Sequence, residues 1–437
     1  MEWQFALLLI LGSLLILMLT GLPVAFCFLI VNLVGMFLFF GGLSGLDQLI
    51  YSMRDILVSF GMLPIPLFIL MGEVMFHSGI ASEMISTLDK WLGRLPGRLS
   101  LLAVGSGVLF GTLSGSSMSG VAVLGSVLVP EMESRGYKKP MTLGPILGSG
   151  TLAMMIPPST LAVLLGAIAE ISIGKIFIAI LIPGLVTAIL YATYIITRCW
   201  LQPSIAPPYK LPPVRLSERL STLVKHVLPL AVIVFLVIGV IFIGAATPTE
   251  AAALGAFGCF ILAFLYRRLN WEVVKKSVSG TLLVTVMMFM IMVGSKAFSQ
   301  ILGYSGAGRG ITGLALVAPL APILIVVAMQ IVVLIMGSFM DVLSIMMITL
   351  PMYIPVIRTL GFNEVWFAVI MLISVEIGVI SPPFGTSLFV MKGVAPPDTT
   401  MGDVYRGSLT FIGLCLISMA LVIIFPQLAL WLPGLMR

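Results

Sequence analysis

The 437-residue chain is 60% hydrophobic and 9% charged, with a formal net charge of +6. A soluble chain of this length carries about a quarter charged residues, so the solvent for most of this surface is lipid and no separate soluble domain fits. The basic residues sit in short loops between apolar stretches, where they set orientation; nucleic acid is not the partner they point to.

Residues 3–20 are predicted to be a first span, because they lack the basic n-region and small-residue cleavage site of a signal peptide. Cys27, Cys199, Cys259 and Cys415 are isolated, without CxxC spacing, and read as buried thiols rather than metal ligands or disulfides. Further along, Lys90, Arg94 and Arg98 precede the apolar segment 99–130, and Arg135, Lys138 and Lys139 follow it. Positive loops favour the cytoplasm, so both flanks are expected on one side. The segment is too short for two crossings of about 20 residues with a turn between them. A re-entrant helical hairpin is therefore predicted, with GTLSGSSMSG at 111–120 as its tip. Non-helical backbone at membrane depth survives only inside protein or beside a water-filled cavity.

The next unusual segment is GSGTLAMMIPPS at 148–159. Proline has no N–H, so Pro157 and Pro158 release the carbonyls of Ala153 and Met154 from helical hydrogen bonds. Freed carbonyls, hydroxyls and half-helix C-termini are hard oxygen ligands suited to Na⁺, while half-helix N-termini favour an anion. The alternative is a packing kink beside a small-xxx-small contact such as Gly111 to Gly115.

The proline-rich stretch 201–225 is predicted to be a cytoplasmic linker ending in an amphipathic segment. It divides the chain into a first repeat, 1–200, and a second, 226–437. A shift of 225 residues, the separation of Pro157 and Pro382, also brings Pro23 onto Pro248, Pro130 onto Pro355, Gly136 onto Gly361 and Pro158 onto Pro383. With a slightly smaller shift, Gly72 falls on Gly294. Weak internal symmetry of this kind marks transporter folds. The second hairpin is expected at about 324–357, with its tip at GSFMD, 337–341. Its flanks carry only Arg309 and Arg358, which fits the opposite face. This topology places every Lys and Arg on the cytoplasmic side except Arg54, Lys175, Arg309, Arg358 and Arg437, with Lys296 inside a span. The two halves are then inverted, and the predicted fold is an all-α polytopic membrane protein with re-entrant hairpins and broken transmembrane helices.

In the second half, Pro382 and Pro383 free the carbonyls of Gly378 and Val379. Asp341 and Glu376 are carboxylates at membrane depth, costly unless paired or hydrated and so functional by default. The alternative for either is a structural salt bridge with Lys296. Glu73, His77 and Glu250 lie near span ends, where solvation or helix capping accounts for them. No GxxxxGK[ST] phosphate loop is present, and neither histidine suits a serine nucleophile at the tip, so an enzyme is not expected.

At these residues the chain resembles the large membrane subunit, the DctM family, of the tripartite ATP-independent periplasmic (TRAP) transporters. The likeness rests on IPLFILMGEVM at 65–75, LSGSSMSGVAVLGSVLVPEM at 113–132 and GSGTLAMMIPPS at 148–159. It continues through TPTEAAA at 247–253, GSFMD at 337–341 and EIGVISPPFGTSLFV at 376–390, nearly the whole chain. The resemblance implies a Na⁺-driven, elevator-type importer of the bacterial inner membrane. It implies a periplasmic solute-binding protein that delivers an organic anion, such as a dicarboxylate or sialic acid. A small four-helix membrane subunit is the other implied partner, and no cofactor beyond the coupling Na⁺ is implied.

Carried over by position, Ser114, Gly115, Ser117, Gly150, Thr151, Ala153 and Pro157 form one cation region. Gly337, Asp341, Gly378, Ser381, Pro382 and Thr386 form the other. The resemblance puts the substrate between the tips, against Ser116, Ser117, Ser338, Asp341 and Glu376. Glu376 stands where some relatives carry a neutral amide, which opens a proton role or a changed second cation site. The alternative among transporters is a stand-alone Na⁺/dicarboxylate symporter of similar design. The alternative from another class is a non-transporting scaffold subunit, in which buried carboxylates at paired helix breaks have no purpose.

Overall fold

The computed structural model describes residues 2–93, 95–114, 117–207, 216–317 and 319–436. Every regular element among them is a helix. Seven helices are long and apolar enough to cross a bilayer, and a bent pair, Lys139–Met155 with Thr160–Ala169, makes an eighth candidate. Large apolar side chains point outward along these spans, with Phe235 75%, Leu283 74% and Phe257 66% exposed. In water such a surface would drive association; in a bilayer it is the lipid-facing surface.

The helix series recurs at the same 225-residue offset. Val24–Phe39 corresponds to Pro248–Leu265, Ser117–Ser134 to Val342–Thr359, and Lys139–Met155 to Glu364–Val379. Even the turns match. Gly136 (φ 80°) and Gly361 (φ 76°) each end a helix in the left-handed conformation that glycine adopts without steric cost. The next residue then bonds back across the turn, Tyr137 N–H to the Met132 carbonyl at 3.0 Å and Phe362 N–H to that of Ile357 at 3.1 Å.

The recurrence fails in one place for a local reason. Leu43–Leu57 and Pro64–His77 are separate helices, joined through the short turn Phe60–Met62, whereas their counterpart Trp271–Tyr304 runs unbroken for 34 residues. Pro64 and Pro66 cannot donate to a preceding turn, and the long helix contains no proline.

The two segments expected to be hairpins are helix pairs. Arg98–Ser114 is followed by Ser117–Ser134, and Pro322–Gly337 by Val342–Thr359. Of the first predicted tip, Gly115 and Ser116 lie outside the described residues, as does Arg94 on the hairpin's flank. Hairpins and broken helices pack crosswise between the halves. Ser117–Ser134 lies on Thr386–Val394, and Val342–Thr359 lies on Thr160–Ala169.

Within the proline-rich stretch, Ile205 accepts from the Lys138 N–H at 2.9 Å. Residues 208–215 lie outside the described residues. The amphipathic part is a helix, Leu216–Thr222, held to Ile80–Leu92 by Lys90–Glu218 at 2.8 Å and by the Trp91 indole N–H on the Arg219 carbonyl at 3.2 Å.

Candidate functional site

The first break bends the chain by 47° between Met155 and Thr160, and residues 151–160 are buried throughout. Pro157 and Pro158 leave the buried Ala153 and Met154 carbonyls without the donors a continuous helix supplies. Ser159 restarts the helix, its hydroxyl accepting from the Ala162 N–H at 3.3 Å.

Gly150 has no side chain for a packing reason: a Cβ there would come within 2.6 Å of the Ser117 hydroxyl. Ser117, the first residue of its hairpin arm, is buried, and its Oγ lies 3.4 Å from that of Ser387 in the second half. Thr151 turns elsewhere. Its hydroxyl donates to the Gly148 carbonyl at 2.8 Å and lies 2.9 Å from the Tyr191 hydroxyl, which in turn lies 2.7 Å from Cys415 Sγ. The structure therefore unites Ser117 with Gly150 and directs Thr151 toward Ile173–Leu201 and Met401–Ile424. Ser114 ends the other arm.

The second break, between Val379 and Thr386, is more open: Ser381 and Pro382 are partly exposed. The Pro157–Pro158 and Pro382–Pro383 bonds are both cis. Gly337 ends the second hairpin's first arm and meets Gly378 backbone to backbone. A Cβ on Gly337 would lie 2.5 Å from the Gly378 Cα. The Phe384 N–H donates to the Ser338 carbonyl at 3.1 Å, so tip and break are also joined by a hydrogen bond.

The carbonyl released at Gly378 is taken up by the Ser381 N–H at 3.0 Å, and the Ser381 hydroxyl donates to Ile377 at 2.8 Å. Val379 and Ser381 crowd their carbonyl oxygens against Gly385, where a Cβ would lie 2.6 and 2.7 Å from them. Thr386 then opens the next helix. Asp341 caps Val342–Thr359, accepting from the Ser344 N–H at 3.1 Å and from the Ser344 hydroxyl. Glu376 is 1% exposed, and neither of its carboxylate oxygens has a hydrogen-bond partner among the described residues. Lys296 bonds Glu170 at 2.7 Å, which accounts for its charge without a bridge to Asp341 or Glu376.

The remaining candidates have local roles. Glu250 forms a capping box with Thr247, accepting from the Thr247 N–H at 2.7 Å while its own N–H reaches the Thr247 hydroxyl at 3.3 Å. Pro248 follows at the first helical position, so TPTEAAA reads as a helix-start sequence. Glu73 lies 3.1 Å from His77 one turn away. The four cysteines are free and buried, and no cluster of His, Cys, Asp and Glu suits a metal ion among the described residues.

Sequence reasoning missed Ser387 and Tyr191, and the contact of Cys415, itself expected to be a buried thiol, with Tyr191. Ser387 adjoins Thr386 inside a quoted motif, so its neighbourhood was visible; which hydroxyl turns toward Ser117 was not. Together the two breaks offer carbonyl and hydroxyl oxygens close to short helix ends. That donor set suits a hard monovalent cation on the C-terminal side and an anion at the N-terminal side.

Comparison with known proteins bears on this geometry. Residues 11–428 match the family model described as "Tripartite ATP-independent periplasmic transporter, DctM component". The chain is 32% identical to the C4-dicarboxylate TRAP transporter large permease protein DctM of Pseudomonas aeruginosa, covering 85% of this chain and 86% of that one. It is 29% identical to the ectoine TRAP transporter large permease protein TeaC of Halomonas elongata, with 96% and 97% covered. Among solved structures it resembles the Alcanivorax borkumensis YdaH transporter with a TM-score of 0.61 over 90% of each chain, at 16% identity. That last likeness is one of fold.

Proposed function

This chain belongs to the DctM component of the tripartite ATP-independent periplasmic transporters, and from that membership we propose that it carries an organic anion inward, driven by Na⁺, by an elevator movement. Its relatives are permeases rather than enzymes, and it is a multi-pass protein of the inner membrane.

The observation that carries the reading is the site's doubling. Each half supplies a hairpin tip pressed through glycine onto a Pro-Pro helix break: Ser117 on Gly150, and Gly337 on Gly378. The hairpin arms run 16–18 residues, about 24–27 Å, at the lower limit of a helix that crosses a hydrocarbon core of about 30 Å. The re-entrant reading of these arms rests on the basic residues that flank the first pair on both sides. Because each hairpin packs on the broken helix of the other half, the four elements move together, as an elevator requires. Buried backbone oxygens at the breaks hold the cations, and the substrate lies between the tips, its carboxylate toward the N-termini of Thr160–Ala169 and Thr386–Val394. A small four-helix membrane subunit and a periplasmic solute-binding protein complete the system.

Reconstitution tests this directly. In proteoliposomes holding both membrane subunits, uptake from a panel of dicarboxylates, ectoine and sialic acid is expected to follow an inward Na⁺ gradient. It needs no ATP and requires the liganded binding protein. Equal uptake with solute alone would replace the reading with a stand-alone symporter.

A further inference from the structure

Away from the tips, a cavity of about 600 Å³ opens between the ends of Leu43–Leu57 and Thr160–Ala169, the C-terminal part of Trp271–Tyr304 and the second half of Val342–Thr359. A volume in this range suits a small organic ligand. Lys296, Ser295, Ser299 and Gln300 line one wall, with Glu170, Asp55 and Arg358 around them. Lys296 lies eight residues from the end of its 34-residue helix and opens into this cavity, its side chain 43% exposed. Gln300 turns its carbonyl oxygen to the Ser52 hydroxyl at 2.8 Å, which keeps its N–H₂ group free of that bond.

The partner of Lys296 is held in an unusual way. Glu170 follows Thr160–Ala169 with a φ of 57°, a left-handed conformation that is unfavourable for a residue with a side chain. From there its carboxylate reaches across to Lys296 at 2.7 Å, and that contact lowers the Glu170 pKa. Both side chains open into the cavity, 66% exposed for Glu170 and 43% for Lys296, so the pair itself is worth little. Arg358 is held separately by a two-pronged bond to Glu364, 2.8 and 3.0 Å. A second carboxylate can therefore take the place of Glu170 on Lys296 at small cost, exchanging one anion for another.

We propose that this cavity is a receiving site for the carboxylate of the transported solute, with Lys296 as its cation and Glu170 as the group the solute displaces. The proposal rests on the transport reading and adds a station to it, ahead of the site between the tips. The site recognises the carboxylate itself, so succinate serves as the probe.

The test uses the wild-type chain with its small subunit in nanodiscs. Acylation of individual lysines is followed by mass spectrometry in succinate and in chloride of equal ionic strength. Succinate is expected to slow acylation of Lys296 by about five-fold or more while changing that of the exposed Lys175 less than two-fold. In Glu170→Gln the competitor is gone, and the half-protecting succinate concentration is expected to fall several-fold. Equal acylation of Lys296 in succinate and chloride overturns the site, as does a Glu170→Gln variant that needs more succinate than wild type. Na⁺-driven uptake by the wild-type chain with Lys296 unprotected removes the site and leaves the transport reading standing. Protection without uptake supports the site and removes the transport reading.

Discussion

Replacing Gly378 by alanine is expected to lower the initial rate of Na⁺-driven uptake by about ten-fold or more while the protein still inserts and purifies normally. Gly378 and Gly337 meet at their Cα atoms, and the added methyl would lie 2.6 Å from the Gly337 Cα. Backbone rather than a flexible side chain stands in the way, so the second tip and the second break must part. Overpacking of this kind costs about 1–3 kcal/mol, which converts to roughly 5- to 150-fold in the population of the closed arrangement. Gly413→Ala is the control, because a Cβ at Gly413 meets nothing within 4 Å. Rates within two-fold of wild type for Gly378→Ala would mean that close contact of tip and break is not needed for transport.

Asp341→Asn is expected to raise the half-saturating Na⁺ concentration for uptake by about ten-fold or more, without loss of folded protein. Asparagine caps a helix about as well as aspartate and can still accept from the Ser344 N–H, so the start of Val342–Thr359 is preserved. What is lost is the charge. A full charge about 4 Å from a cation contributes roughly 4 kcal/mol at an effective dielectric near 20, and an amide dipole far less. Unchanged Na⁺ dependence would leave Asp341 as a helix cap alone. Titrating Na⁺ against uptake, with the binding protein's own solute affinity measured in parallel, separates the two roles.

Much of this molecule was legible because its signals are local. Low charge and recurrent apolar stretches dictate a helical membrane protein, and Pro157-Pro158 and Pro382-Pro383 must break any helix they enter, since two consecutive N–H donors are missing. The matched glycines at 136 and 361 were visible as a spacing before they were visible as helix ends. What was not legible depends on which way a helix turns once packed. Thr151 stands one residue from Gly150, yet its hydroxyl serves Tyr191 instead of Ser117. Ser117 finds Ser387, 270 positions away, and Lys296 finds Glu170, 126 positions away. Pairings of this kind are set by tertiary packing and leave no mark at either position. Glu250 of TPTEAAA, readable from its place at a span end as a solvated or capping residue, closes a capping box.

Direct binding of ²²Na⁺ tests whether the two helix breaks hold the coupling cations. The measurement uses the purified subunit pair, without solute or binding protein, for wild type, Ser117→Ala and Asp341→Asn. Wild type is expected to bind Na⁺ saturably. Ser117→Ala, which deletes one hydroxyl beside Gly150, is expected to weaken binding several-fold, and Asp341→Asn by more. Wild-type Na⁺ affinity in both variants, with normal expression, would contradict the account and reduce the two breaks to packing kinks.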